Sequence, residues 1–305
     1  MRQPKQEEMW VWINGNVVPR SQGTISVFDH SFIYGDGVFE GIKVFLGRIF
    51  HLASHIRRLF ASARFLAIDI PASEADICRA IVELVRQNNM PGGYVRPIVT
   101  RGEGPLGLRN MDRLGRPNMV IICQRDRIKT EQELLATGLR AKTVATRRTP
   151  PGCLDPRAKT CNYLNNILAD LERRAAGVDF GLMLDTEGYV CEGPAENVFI
   201  VKDRRLETPL AAKCLDGITR RSVMVAARRA RWPVREANLT LYDVYTADEM
   251  FATGSMNEIT WIREVDGRPI GDGKAGPVSR KLLKVLREEG FRTGVRVFGH
   301  SKSGR

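Results

Sequence analysis

The 305-residue sequence lacks several features that mark membrane, secreted or metal-bound proteins. No apolar run reaches the roughly 18 residues that a membrane-spanning helix needs, and residues 1–8 lack the apolar core of a signal peptide. The six cysteines show no paired metal-type spacing, so we expect reduced thiols and predict no metal site. Together these absences predict a cytoplasmic protein.

The charge balance is basic, with a formal net charge of +12. A basic chain can bind nucleic acid or a membrane surface. Here the basic residues are scattered, and no nucleic-acid motif accompanies them. We therefore expect neither partner. An anionic small molecule would benefit from the positive field without requiring it.

The length and the 43% hydrophobic content allow two globular domains with a substantial core. Hairpins, such as the one with its turn at Asn14-Gly15, alternate with amphipathic helices. We expect an α+β protein with a smaller N-terminal domain over residues 1–124. A connection over residues 125–137 then leads to a larger C-terminal domain over residues 138–305.

Lys159 follows a stretch in which Pro150, Pro151 and Pro156 break regular structure. Apolar residues at helical spacing predict a helix over residues 162–176 directly after it. A lysine held at the start of a helix can be desolvated and can serve as a nucleophile. An arbitrary lysine in such a place is a solvated surface residue, so this signal needs support from elsewhere in the chain.

Three further stretches supply that support: residues 34–41, 192–197 and 216–220. With Lys159, their order and spacing resemble the fold-type IV enzymes that depend on pyridoxal phosphate, from about residue 10 to about residue 286. That group includes branched-chain aminotransferases, D-amino-acid aminotransferases and aminodeoxychorismate lyase. The resemblance implies pyridoxal 5'-phosphate as cofactor, a two-domain fold like that of the D-amino-acid aminotransferases, and a homodimer or higher homo-oligomer.

The resemblance also implies a set of cofactor-binding residues. Lys159 would bind the cofactor aldehyde and move the substrate proton, and Tyr163 would lie on the same helical face. Glu192 would hold the ring nitrogen, with Glu196 as the next candidate. The start of a helix at Gly217 is by itself an anion site. The other residues implied around the phosphate and the ring face are Arg58, Leu215, Ile218, Thr219 and Ser255.

Arg58 lies in the pattern His55-x-x-Arg58-Leu59, where the family's arginine holds the phosphate. Without the resemblance, Arg57 and Arg58 would be read as a solvated pair. Asp216 stands where relatives often carry proline. An acid beside a phosphate cup is unfavourable unless its side chain points away and caps the following helix.

The glycine-rich loop over residues 101–108 separates the members of the family. D-amino-acid aminotransferases carry an arginine and a histidine there, whereas this chain has Leu106 and Leu108, which can form an aliphatic wall. Tyr94 and Arg96 resemble the Tyr-x-Arg of branched-chain aminotransferases. Arg109 could still serve a D-type carboxylate. The substrate-binding residues implied are Tyr34, Phe39, Tyr94, Arg96, Leu106, Leu108, Ser255 and Met256.

The sequence therefore predicts transamination of leucine, isoleucine and valine in their L-forms with 2-oxoglutarate, giving branched 2-oxo acids and glutamate. A D-amino-acid aminotransferase is the first alternative. Aminodeoxychorismate lyase and an (R)-amine transaminase of the same fold come next, the lyase being disfavoured by Glu258-Ile259-Thr260 after the second phosphate loop. A non-catalytic binding protein of this fold is the alternative from a different class. It would have to lack a catalytic residue, and every expected one is present.

Overall fold

A computed structural model describes residues 5–298 and divides the chain into two compact units. The first unit comprises residues 5–128, 158–162 and 290–298, and the second comprises residues 129–157 and 163–289. The expected division had one boundary region at residues 125–137. The segments 158–162 and 290–298 group with the first unit, although they lie beyond that region in sequence.

The elements follow the expected order of strands and helices along the chain. The helices are α1 (His30–Tyr34), α2 (Leu52–Phe65), α3 (Glu74–Gln87), α4 (Glu131–Ala136), α5 (Leu164–Ala175), α6 (Ile218–Arg229), α7 (Leu241–Tyr245) and α8 (Pro277–Thr293). Within residues 5–298, no helix combines the length and the apolar character needed to cross a membrane.

The strands of the first unit are β1 (Trp10–Ile13), β2 (Asn16–Pro19), β3 (Gly37–Phe39), β4 (Ile42–Phe45), β5 (Arg48–Ile49), β6 (Gly93–Thr100), β7 (Met119–Arg125) and β17 (Val295–Arg296). They form one sheet in the order β17-β5-β4-β6-β7-β1-β2, and β3 also pairs with β6. Every pairing in this sheet is antiparallel.

The core of the first unit lies between this sheet and the helices α2 and α3. Ile42 of the sheet, Leu59 of α2 and Leu84 of α3 are all fully buried in one apolar cluster. Ser73 caps the start of α3, because its hydroxyl accepts a hydrogen bond from the Asp76 amide at 3.2 Å. These contacts fix α2, which carries several polar residues described below.

The strands of the second unit are β8 (Leu139–Thr143), β9 (Phe180–Leu184), β10 (Val190–Glu192), β11 (Asn197–Lys202), β12 (Arg205–Pro209), β13 (Val234–Ala237), β14 (Glu249–Gly254), β15 (Glu258–Val265) and β16 (Arg268–Pro269). Their order is β10-β9-β8-β15-β14-β11-β12-β13, with β16 beside β15. Because β10 also pairs with β11, the six strands β10, β9, β8, β15, β14 and β11 close into a ring. Phe199 and Phe251 stack across neighbouring strands of it, with ring centroids 5.2 Å apart.

The α+β class is confirmed, but the predicted helix after Lys159 differs in two respects. The helix α5 begins at Leu164, and Lys159 lies on an extended segment before it, where Thr160 bridges Val38. The expected helical spacing of Lys159 and Tyr163 is therefore wrong. The residues that α5 buries are Asn166 and Ala169, and the apolar residues whose spacing predicted the helix are exposed: Leu164, Ile167, Leu168 and Leu171.

Candidate active site

The backbone around Lys159 is tied into the first unit on both sides. Its amide donates to the hydroxyl of Ser62 on α2 at 3.0 Å, and its carbonyl accepts from the amide of Phe39 at 3.0 Å. Cys161 donates its amide to the carbonyl of Gly37 at 2.7 Å. These three bonds fix the point from which the Lys159 side chain extends.

The ring of Phe39 is bordered by two cations of the first unit. The Nζ atom of Lys159 lies 4.6 Å from the ring centroid, and the Cζ atom of Arg96 lies 4.8 Å from it. Arg96 also donates through Nη2 to the hydroxyl of Tyr94 at 2.9 Å. Three residues expected to bind substrate thus lie together with the expected catalytic lysine.

Gly41 permits the position of Tyr94. A Cβ atom at residue 41 would lie 2.2 Å from the Tyr94 hydroxyl oxygen, so any side chain there would displace the tyrosine. This glycine belongs to the sequence stretch 34–41 singled out above. Its requirement follows from a close approach to a side chain and not from an unusual backbone conformation.

Arg58 on α2 forms a two-pronged ion pair with Glu40. The Nε atom donates to Oε1 at 2.6 Å, and Nη2 donates to Oε2 at 2.8 Å. Glu40 and His55 are buried, and His55 Nδ1 lies 2.7 Å from Glu40 Oε2. Arg58 is therefore not a solvated surface arginine, since its side chain is 11% exposed.

The chemistry of this buried group follows from its charges. Burial alone would raise the pKa of the Glu40 carboxyl, but the charge of Arg58 and hydrogen bonds from Arg58 and His55 outweigh it and lower the pKa. Burial lowers the pKa of His55, against the raising influence of Glu40. The geometry then requires neutral His55 to carry its proton on Nδ1 and to donate it to the carboxylate.

A second group in the first unit connects Tyr34 to the glycine-rich loop. The amide of Gly107 donates to the Tyr34 hydroxyl at 3.0 Å. Leu106 is 62% exposed and Leu108 is 69% exposed, so within one chain the expected aliphatic wall does not enclose a side chain. Arg109 follows on the same loop and is exposed.

In the second unit, the Glu192 carboxylate is held by three donors. Arg148 Nε donates to Oε1 at 2.6 Å, the Leu215 amide donates to Oε2 at 3.0 Å, and Asn197 Nδ2 approaches Oε2 at 3.3 Å. The pKa of Arg148 is raised, because the charge and hydrogen bond of Glu192 outweigh the lowering influence of burial. Sequence reasoning did not identify Arg148, since nothing in the chain around it signals a partner 44 residues away.

Glu196, the next candidate for the ring nitrogen, has different surroundings. Its Oε1 atom accepts from Asn257 Nδ2 at 3.1 Å. The structure therefore associates Glu192, and not Glu196, with Leu215, the residue expected to pack on the cofactor ring. Tyr163 also belongs to the Glu192 group, because it lies close enough to Arg148 to contribute to raising the pKa of that arginine.

The helix α6 begins directly after Gly217, which occupies the N-cap position and has no side chain to cap it. A Cβ atom at residue 217 would lie 2.1 Å from Asn197 Oδ1, so glycine is required there. The Asp216 carboxylate accepts from Arg221 Nε at 2.8 Å and lies 3.6 Å from Arg220 Nη1. The backbone amides at the start of α6, at residues 218 and 219, are of the type that binds phosphate.

The turn after β14 holds Ser255 and Met256, as the resemblance implied. Thr253 stands just before this turn and pairs across the sheet with Asn197. Its hydroxyl is buried and has no hydrogen-bond partner among the described residues. Such an orphaned hydroxyl is unusual in a protein interior and is typical of sites that bind a ligand or water.

Each unit, taken by itself, carries groups of the kinds that hold pyridoxal phosphate. The first unit supplies a lysine amine and an anchored arginine. The second supplies a carboxylate held by an arginine, an uncapped helix start and an orphaned buried hydroxyl. An amine, a carboxylate and a phosphate cup are the groups that hold this cofactor.

The comparisons with known proteins agree. The model of the amino-transferase class IV family matches residues 37–265. A putative branched-chain-amino-acid aminotransferase from Methanocaldococcus jannaschii is 41% identical over 291 residues, which cover 95% of this chain and 99% of that protein. The crystal structure of a branched-chain aminotransferase from the archaeon Thermoproteus uzoniensis with norvaline is 33% identical. It covers 95% of this chain and 99% of the other, with a TM-score of 0.87.

A further crystal structure shows a branched-chain amino acid aminotransferase, from an organism abbreviated T.th., complexed with N-(5'-phosphopyridoxyl)-L-glutamate. It is 34% identical, covers 95% of this chain and 99% of the other, and has a TM-score of 0.89. The adduct in it joins the phosphopyridoxyl group to an amino acid. The fold described above is thus shared with solved structures that hold an amino acid or a cofactor adduct.

The chain therefore belongs to the class IV aminotransferases, the fold-type IV enzymes that use pyridoxal phosphate. Within that class, the relatives described above are branched-chain aminotransferases, and the resemblance read from the sequence is confirmed.

Proposed function

We propose that this protein transfers the amino group of L-leucine, L-isoleucine and L-valine to 2-oxoglutarate, giving branched 2-oxo acids and glutamate. The names of the relatives support this substrate class, and the glutamate adduct in one of the solved structures supports glutamate as the other amino acid. The observation that carries the proposal is the arrangement of Lys159 and Arg96 around the Phe39 ring.

Lys159 is the proposed catalytic residue. The cofactor, when bound, supplies the electron sink that acidifies the substrate α-carbon. The Nζ atom of Lys159 would take the proton from that carbon and deliver it to the cofactor carbon that carries the amino group away. The bonds that join the Lys159 backbone to Ser62 and Phe39 fix the point from which the side chain extends, and so limit the positions that the amine can take.

The cofactor phosphate is assigned to Arg58, Gly217, Ile218, Thr219 and Ser255. Glu192 is assigned to the ring nitrogen, Leu215 to the ring face and Tyr163 to the phenolic oxygen. The hydrogen bond from the Leu215 amide to Glu192 supports the assignments of Glu192 to the ring nitrogen and of Leu215 to the ring face. It joins this carboxylate to the segment that leads into α6.

Substrate binding is assigned to two groups in the first unit and to Ser255 and Met256 in the second. Phe39, Tyr94 and Arg96 form the group beside Lys159, where Arg96 can pair with the glutamate side-chain carboxylate. Tyr34, Leu106 and Leu108 form the loop group, whose leucines contact aliphatic side chains and offer no partner to a carboxylate.

We also infer a homodimer or higher homo-oligomer in the cytoplasm. The exposed apolar residues of α5 support self-association, as do Val27, Phe28 and Phe32 of the first unit, which are 65%, 54% and 76% exposed. Exposed apolar clusters of this kind mark interaction surfaces. The six cysteines are free thiols, which supports a reducing compartment.

Half-reaction kinetics test the substrate class. The cofactor-loaded protein is mixed with matched L- and D-amino acids, and the change in cofactor absorbance is followed. We expect L-leucine to react faster than D-alanine or D-glutamate. Faster conversion of either D-amino acid would reject the branched-chain assignment and favour a D-amino-acid aminotransferase.

A substitution in the loop sharpens this test. Leu106→Arg should slow the reaction with L-leucine, because it places a charge beside an aliphatic side chain. Val17→Arg is the matched control, since Val17 is also an exposed apolar residue of the first unit, at 42% exposure. An equal effect of both substitutions would show that Leu106 has no special role.

A further inference from the structure

The helix α2 presents a buried polar stripe that an apolar packing face would not need. His55 and Ser62 are both 2% exposed, and Arg58 lies between them on the same face at spacings of three and four residues. His55 and Arg58 share the partner Glu40, which is fully buried between β3 and β4, whereas Ser62 accepts from the Lys159 amide. Burying these groups costs free energy, so their retention calls for a role beyond packing.

Hydrogen bonds link His55 to Glu40 and Glu40 to Arg58. His55 Nδ1 lies 2.7 Å from Glu40 Oε2, and Arg58 contacts both Glu40 oxygens at 2.6 and 2.8 Å. The backbone amide of Gly41 approaches the same Oε2 at 3.3 Å. Glu40 takes the edge of the guanidinium formed by Nε and Nη2, and the plane of the guanidinium is thereby fixed.

Fixing that plane matters for a phosphate ligand. A guanidinium binds phosphate through a planar fork, so its affinity depends on orientation as well as charge. A long, flexible side chain loses conformational entropy when it binds unless it is already held. An arginine held in advance avoids that cost.

We propose that Glu40 and His55 are positioning residues that hold Arg58 in the orientation in which it binds the cofactor phosphate. This inference rests on the phosphate role proposed for Arg58. Glu40 holds the guanidinium directly, and His55 fixes the carboxylate by donating its Nδ1 proton. Neither residue needs to touch the cofactor.

The test compares two ligands that differ only in the phosphate: pyridoxal 5'-phosphate and pyridoxal. Dissociation constants are measured by absorbance titration of the full-length protein after removal of its cofactor. We expect Glu40→Gln and His55→Leu to weaken pyridoxal phosphate by roughly 10-fold, with pyridoxal changed by less than about 2-fold. An effect on general folding would weaken both ligands equally and would overturn the proposal.

If Glu40→Gln does not fold, a comparison of His55→Gln with His55→Leu still tests the proposal. We call the ratio of the dissociation constant of pyridoxal to that of pyridoxal phosphate the phosphate selectivity. His55→Gln retains an N–H donor and should restore the phosphate selectivity that His55→Leu loses. Arg57→Ala is the matched control, because Arg57 is exposed on the same helix and donates to Ser54, so the selectivity should be unchanged. Loss of selectivity in His55→Gln equal to that in His55→Leu would contradict the role of the donor.

Arg58→Ala separates this inference from the proposed function. If Arg58→Ala abolishes the phosphate selectivity while Glu40→Gln and His55→Leu preserve it, the positioning proposal is wrong and the assignment of Arg58 stands. If Arg58→Ala itself leaves the selectivity unchanged, the assignment of Arg58 to the phosphate fails first. The phosphorus NMR shift of the bound cofactor gives an independent readout, which should move toward that of the free cofactor in His55→Leu.

Discussion

At the scale of single residues, two buried carboxylates are each stabilised by an arginine, which offsets the free-energy cost of removing their charge from water. Glu40 in the first unit is held by Arg58, and Glu192 in the second unit is held by Arg148. A carboxylate taken out of water needs a charged partner and further hydrogen bonds. Each has both, since His55 completes one group and the Leu215 amide completes the other.

Replacing Lys159 with alanine should abolish transamination and the near-visible absorbance of lysine-bound cofactor. Lysine is the residue type that forms such a link, and the Lys159 backbone is anchored on both sides. The measurement is the absorbance spectrum of the purified variant together with its turnover. Lys142→Ala, at a side chain that is 53% exposed, serves as control and should behave like the unmodified protein.

Glu192→Gln should retain cofactor but lower the turnover number by roughly 100-fold or more, equivalent to a few kcal/mol in the barrier. A neutral amide cannot balance the charge of a protonated ring nitrogen, and it also leaves Arg148 without its ionic partner. Steady-state kinetics at saturating substrate provide the measurement. Glu196→Gln is the matched control, and a larger loss there than at residue 192 would transfer the role to Glu196.

Glu40 should make the stability of the protein depend on pH in the acidic range. Its pKa in the folded state lies below the ordinary value of 4.5, so the unfolded chain binds a proton more readily there. The stabilising contribution is therefore complete above about pH 4.5 and is lost as the pH falls toward the folded-state pKa. We expect Glu40→Gln to cost about 3–5 kcal/mol near neutral pH, with the difference shrinking on acidification.

Denaturant midpoints of the unmodified protein and Glu40→Gln across this pH range check the expectation. Glu187→Gln is the control, because its carboxylate is 70% exposed and should produce no comparable slope. A difference between the two proteins that stays constant with pH would contradict an ionised, buried Glu40.

At the scale of secondary structure, the start of α6 depends on one missing side chain. Gly217→Ala should weaken cofactor binding by roughly 10-fold, because a Cβ atom 2.1 Å from Asn197 Oδ1 forces the asparagine away. Asn197 in turn donates to the Leu215 carbonyl at 2.7 Å, so the displacement spreads to the segment beside Glu192. Cofactor titration is the measurement, and Gly152→Ala, which meets no atom within 4 Å, is the control.

Most elements were predictable because their periodicity is local. The hairpin around Asn14-Gly15 is predicted by its turn residues and is present as β1 and β2. The helix α4 lies within the stretch predicted as a connection over residues 125–137, because its six residues carry little periodicity of their own.

The exposed face of α5 shows a limit of the same reasoning. The spacing of Leu164, Ile167, Leu168 and Leu171 correctly indicates a helix, but it does not reveal which surface the apolar face contacts. In the same way, the motifs identified Glu192 and Arg58 as candidates, while their partners Arg148 and Glu40 emerged only from contacts distant in sequence. A local sequence pattern can therefore identify candidate site residues, but their charged partners are known only once the fold is known.

At the scale of the whole molecule, the apolar surface of α5 predicts self-association. Leu171→Glu should shift the protein toward a smaller species, because Leu171 is 54% exposed in the single chain and a charge opposes burial in an interface. Sedimentation velocity over a range of concentrations is the measurement. Arg57→Glu on α2 is the control, and an unchanged distribution for Leu171→Glu would place the interface elsewhere.

The division of the chain also bears on how it is synthesised. The first unit includes residues 158–162, and its strand β5 pairs with the edge strand β17 at residues 295–296. A ribosome that has released only the first 128 residues has therefore not yet supplied all the parts of that unit. The unit translated first is completed last, and until then the nascent chain carries an unpaired β5 edge that could associate with other chains or recruit a chaperone.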